Sequence, residues 1–138
     1  MSQVFLYTDG SCKGNPGPGG YAAILQARLH ERVLTGGAAH TTNNRMELTA
    51  VITGLQALKR RCEVTVITDS QYVVTILTGG GVNANHDLVE QVYRLLTKHT
   101  ITAQQVRGHQ GHPFNERADR LAQAAAYRYQ QEAQACAR

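Results

Sequence analysis

The sequence has no tryptophan, two phenylalanines, three prolines and three cysteines. Cys12, Cys62 and Cys136 are odd in number and show no Cys-x-x-Cys spacing. That argues against a disulfide framework and a structural zinc site, and it fits a reducing compartment. No apolar run approaches the roughly eighteen residues of a membrane span. The opening MSQVFLYTDG also lacks the charged and apolar regions of a signal peptide. A cytoplasmic protein with no membrane partner is the resulting expectation. Internal repeats, low-complexity tracts and linkers are missing too, so residues 1–138 are expected to form one domain. A chain of this length buries about two thirds of its unfolded surface without staples.

Hydrophobic residues make up 42% of the chain and charged residues 17%, a globular balance rather than a disordered one. The net charge of +4 favours polyanionic partners without requiring them. Basic residues are scattered except for Lys59, Arg60 and Arg61, which read as a helix end where cations offset the macrodipole. Nothing in the pattern demands an oligomer, and a monomer is expected.

Along the chain, Val4–Thr8 reads as a strand ending at Asp9, and 21–26 and 32–35 continue it as an antiparallel meander. Asn43 or Asn44 can cap a helix whose stripe is Leu48, Val51, Leu55 and Leu58. Val64–Thr68 is a β-branched strand ending at Asp69. A short helix over 71–77 is stopped by Gly79-Gly80-Gly81. Further elements are a helix over 87–98, a strand over 101–106 and a long final helix from about Asn115. The fold class is therefore α/β, a mixed five-stranded sheet with three antiparallel strands first and helices on its faces.

Two strands end alike, in YTDGS and ITDSQ. If they run parallel and adjacent, Asp9 and Asp69 lie side by side at the carboxyl edge, where open α/β sheets place ligands. Either acid alone is more simply a turn residue. Glu47, read into the first turn of its helix, and Asp119, in the first turns of the last, each have an ordinary explanation as helix-start acids. As a set the four differ, because converging carboxylates repel and are costly to bury without a cation. All-oxygen ligands suit Mg²⁺ or Mn²⁺, and the chemistry they suggest is two-metal hydrolysis of a phosphodiester.

The blocks TDGSCKGNPGPGGYAAIL, TTNNRMEL, CEVTVITDSQYV and VRGHQGHPFNERADRLA closely resemble those of bacterial type 1 ribonuclease H, in family order and across nearly the whole chain. The resemblance implies a ribonuclease H-like fold. It also implies endonucleolytic cleavage of the RNA strand of RNA–DNA hybrids by two divalent ions, leaving 5′-phosphate and 3′-hydroxyl ends. Asp9, Glu47, Asp69 and Asp119 match the metal-binding acids, and His109 the mobile catalytic histidine, leaving His112 to order the loop. Gly10 and Ser11 match main chain approaching the RNA, Asn15, Asn43 and Asn44 minor-groove contacts, and Gln71 another contact near the RNA. Thr42 matches part of a DNA-phosphate pocket, with Arg45 as a helper.

One departure stands out. Larger members carry a basic, tryptophan-bearing protrusion where this chain has only LTGGGVNANHDLV. Its loss should weaken binding and flatten the salt dependence while leaving the chemistry intact. Tyr127, Arg128 and Tyr129 on the final helix are candidates to compensate. An inactive hybrid-binding module would be expected to lack an acid, and none is missing. Related exonucleases open with Asp-x-Glu, whereas Asp9 is followed by Gly10 and Ser11. A P-loop ATPase would need GxxxxGK[ST], which is not present.

Overall fold

The computed structural model describes residues 2–81, 84–107 and 112–136. Along β1 (Ser2–Cys12), Val4 and Leu6 join one core cluster and Tyr7 another, the period-two alternation of a strand buried on both faces. Strands β2 (Gly17–Ala27) and β3 (His30–Thr41) complete an antiparallel meander with it. Helix α1 (Asn43–Gln56) then crosses to β4 (Cys62–Thr68), which runs parallel to β1 from Ser2↔Cys62 to Tyr7↔Ile67. Helices α2 (Gln71–Leu77) and α3 (His86–Leu96) lead to β5 (Thr100–Gln105), parallel to β4, and α4 (Pro113–Cys136) follows. The strand order is β3-β2-β1-β4-β5, so the expected five-stranded mixed sheet is present with the two Thr-Asp strands as neighbours.

The two faces are covered differently. On one, Leu6, Val64 and Val66 meet Leu48, Val51 and Leu55 of α1 and Val92 of α3 in a single cluster of branched side chains. Each such side chain contributes roughly 1.5–3 kcal/mol on burial. On the other, α4 lays Ala118 and Ala122 over Tyr7, Ala22, Ile24 and Ile67. The approach is so close that a Cβ at Gly20 would stand 2.3 Å from the Ala126 nitrogen and 2.6 Å from the Ala122 oxygen. Glycine is what lets this helix seat.

Four expectations need correction. β1 does not end at Asp9 but continues to Cys12, because Gly10, Ser11 and Cys12 find partners in Tyr21, Gly20 and Gly19. The cap of α1 is Thr42, whose hydroxyl accepts from the Arg45 amide at 3.3 Å, and Asn43 is already helical. Glu47 is consequently past the first turn, which contains no acid, so a macrodipole role does not explain it. Lys59, Arg60 and Arg61 lie beyond the end of α1, in its connection to β4, and do not cap the helix.

Candidate active site

The site forms because β1 and β4 run parallel in register and α1 crosses their carboxyl ends. Asp9 and Asp69 follow the paired residues Tyr7 and Ile67 by two positions each. Gly10 sits under α1, where a Cβ would stand 2.6 Å from the Glu47 nitrogen. That contact answers why a glycine follows Asp9: it admits the backbone that carries Glu47. Carboxylate oxygens of Asp9, Glu47 and Asp69 all lie within 4.8 Å of one another. Asp9 and Glu47 are 4% and 3% exposed, and Asp69 is half-buried. Asp119 joins them from α4, hydrogen-bonded to Asp9, with its other side held by Gln123 Nε2 donating to Oδ2 at 3.0 Å.

Burial pushes the Asp9 carboxyl up to about 10, reinforced by the charge of Glu47, the hydrogen bond with Asp119 and the charge of Asp69. Burial likewise raises Glu47, to about 8, against the opposing hydrogen bond from Asp9, while Asp69 and Asp119 push it further up. Without a cation, the site holds protons where it would otherwise hold charge. Glu47 Oε2 is moreover buried with no hydrogen-bond partner. An orphaned carboxylate oxygen amid other carboxylates is what a hard divalent cation relieves, and the donor set fits one.

The ring of Tyr7 clamps the start of α4. Phe114 stacks on it at 4.7 Å and 18°, and His112 tilts against it at 5.5 Å and 46°. The His112 carbonyl accepts from the Glu116 amide at 2.9 Å, closing the first turn of the helix. Arg117 Nη1 donates to Glu31 Oε1 at 2.7 Å and ties the same turn to β3. Asp119 is thus positioned by contacts that also hold the strand of Asp9. Asn115, 4% exposed with Oδ1 unpartnered, lies one helical turn before Asp119. The sequence reading gave it no role, and its i, i+4 spacing to Asp119 is the signal that could have found it.

The remaining candidates gather around the same edge. Asn15 Oδ1 accepts from the Asn43 amide at 2.8 Å, pinning the β1–β2 loop to the start of α1 beside Thr42. Asn44 is exposed, and Ser11 is half-buried in β1. Gln71 opens α2 two residues after Asp69, with Nε2 donating to Thr75 Oγ1 at 3.3 Å. Arg45 is committed to α3: its two terminal nitrogens donate to Asp87 at 3.0 and 2.8 Å, and Nη1 also to Asn85 Oδ1 at 3.3 Å. Asn85 Nδ2 donates to the Tyr72 hydroxyl at 3.0 Å, so the short α2–α3 connection is fastened to α1 and α2. Tyr127 and Arg128 are exposed on α4. His109 lies outside the described residues.

Residues 1–127 match the family model described as RNase H. Ribonuclease H of Pseudomonas syringae pv. syringae is 52% identical over 133 residues, covering 86% of this chain and 89% of that protein. Ribonuclease H of Citrobacter koseri is 49% identical over 146 aligned positions, covering 96% of this chain and 94% of that one. Among solved structures, the N-terminal RNase H domain of a Mycobacterium tuberculosis protein, fused to maltose-binding protein, has a TM-score of 0.82. It is 30% identical, covering 96% of this chain and 99% of that chain.

Proposed function

The chain belongs to the ribonuclease H family and is an endoribonuclease acting on the RNA of RNA–DNA hybrids. From that premise we propose that it works with two divalent ions, Mg²⁺ or Mn²⁺, and leaves 5′-phosphate and 3′-hydroxyl ends. The observation that carries this reading is the buried acidic group of Asp9, Glu47 and Asp69, with its unpartnered Glu47 oxygen. Asp9, Glu47, Asp69 and Asp119 would hold the ions, which when bound supply an activated water and neutralise the leaving oxygen. Asp9, between β4 and α4, is the residue shared by both sides of the site. His109 is assigned the proton handling, since an imidazole exchanges protons near neutral pH.

For the substrate, Gly10 and Ser11 would present main chain to the RNA strand, where 2′-hydroxyls mark RNA. Asn15, Asn43 and Asn44 would reach the minor groove, Thr42 a DNA phosphate and Gln71 the RNA beside Asp69. The Asn15–Asn43 hydrogen bond supports treating these residues as one preformed surface. The protein is further proposed to act in the cytoplasm as a monomeric single domain.

The test is cleavage of a labelled RNA strand paired with DNA or with RNA, with Mg²⁺ or Mn²⁺, with EDTA, and in Asp9→Asn. The expected result is internal cuts in the hybrid alone, lost in EDTA and reduced at least about a thousandfold in the variant. Tight hybrid binding without cleavage in either metal would instead identify a binding module. A second readout is stability without metal. Asp9 and Glu47 are raised above their ordinary values, so the folded state takes up protons that the unfolded state has lost. Metal-free stability should therefore fall as pH rises from about 4 through about 8 toward 10. Asp9→Asn should flatten that decline and raise the metal-free Tm at pH 8. A wild-type Tm unchanged across that range in EDTA would refute the electrostatic account.

A further inference from the structure

At the end of the sheet away from the acids, the first residues of β1 lie between the β2–β3 turn and the α1–β4 connection. A cavity of about 1150 Å³ opens there, with Gln3, Phe5 and Gln26 from the sheet and Arg28, Arg60 and Arg61 from the flanking segments among its lining. His30 adds an imidazole, and among the described residues no carboxylate lines the cavity. Among the described residues, none of the three arginines is in an ion pair. The neighbouring acid Glu31 is engaged by Arg117 at 2.7 Å, and Glu63, opposite Gln3 across the β1–β4 pair, lines a smaller adjoining cavity.

Phe5 decides what this groove fits. It lies two residues before Tyr7 and so on the same sheet face, yet it is 42% exposed and belongs to neither core cluster. Its directly paired neighbours are Gln26 in β2 and Thr65 in β4. An aromatic ring left open on a sheet face is a stacking platform for a base, and amides beside it can bond base edges. Unpaired guanidinium groups around the platform suit a phosphate backbone. An acidic peptide would satisfy the arginines but give the flat ring and the two amides no common partner.

We infer that this groove binds a single strand of nucleic acid, stacking a base on Phe5 with phosphates on Arg28, Arg60 and Arg61. Phe5 and Asp9 are four residues apart on one strand, roughly 13 Å. The groove is therefore a contact separate from the acid cluster, placed to take a strand that overhangs a duplex end. It also gives Arg60 and Arg61 a use that helix capping does not.

The test measures binding of fluorescein-labelled oligo(dT) and oligo(U) twelve-mers by anisotropy in EDTA, which separates it from whether the acids cleave. Replacing Arg28, Arg60 and Arg61 together with Ala should weaken binding at least about tenfold and lower the salt slope by about 2. Phe5→Ala should weaken it about fivefold or more, and Phe5→Tyr should restore it. Affinity for a blunt hybrid should be unchanged in every variant, with circular dichroism melts confirming that each folds. Wild-type affinity for both oligonucleotides in the triple variant would overturn the assignment. So would displacement by a glutamate twelve-mer at equal concentration together with no effect of Phe5→Ala, which would mark an acidic-chain site.

Discussion

The two faces of the sheet solve different problems. Toward α1 and α3 the contact is made by large branched side chains, Leu6, Leu48, Val51, Leu55, Val64 and Val92. Toward α4 the helix contributes the alanines Ala118 and Ala122, set on Tyr7, Ile24 and Ile67 of the sheet, with backbone approaching backbone at Gly20. Branched side chains remove apolar area from water and supply stability, but they tolerate some rearrangement. Small residues bury little area, yet they leave the helix a single seat. The acid set draws on both: Glu47 comes from the first face and Asp119 from the second, meeting Asp9 between them. Stability and placement of the clustered acids are thus separable.

The sharpest way to test that separation is Leu55→Ala. It should cost about 3 kcal/mol of stability by leaving a cavity, while activity per folded molecule at low temperature stays near wild type. A kcat loss as large as the stability loss would break the comparison. Next comes Gly20→Ala, whose added methyl meets the α4 backbone and cannot be accommodated by a side-chain rotation. It should cost about 1–3 kcal/mol in stability, with a fall in kcat beyond what unfolding explains because α4 carries Asp119. Retained kcat at full occupancy would show that the close seat does not position the acid.

The smallest effect is expected from Asp87→Asn. Hydrogen bonds from Arg45 hold this exposed carboxyl down to about 2, but the pair is solvated at the rim. Only a slight loss of Tm is expected, smaller still in high salt. A large loss at any salt concentration would place part of the stability of the first face in its polar edge.

Much of this arrangement was legible in the sequence because it rests on local pattern. The apolar, β-prone runs ending in Thr-Asp marked β1 and β4, and the stripe of Leu48, Val51 and Leu55 marked α1. What the sequence could not display is contact between distant segments. Gly10 reads in sequence as main chain approaching the RNA, and its further constraint from Met46 and Glu47, in a helix more than thirty residues away, leaves no local sign. Thr42 lost the cap to its neighbours in the reading because asparagine and threonine are both good caps, and only the helix start decides between them. Lys59–Arg61 likewise read as a helix end because cations there are common, and the true end of α1 at Gln56 leaves the run in a loop. The Tyr7–Phe114 stack joins residues that no short-range rule connects.

The α2–α3 connection carries a last consequence. At its near end the Gly80 amide donates to the Thr75 carbonyl at 2.8 Å and the Gly80 carbonyl accepts from the Tyr93 hydroxyl at 3.1 Å, while Arg45, Tyr72, Asn85 and Asp87 fasten its far end. Both described ends of the connection are thus tied to helices. Extra residues inserted after Gly81 are therefore expected to leave α3 seated, which a melt of such a variant would check. Asp9, Glu47, Asp69 and Asp119 all lie outside this connection.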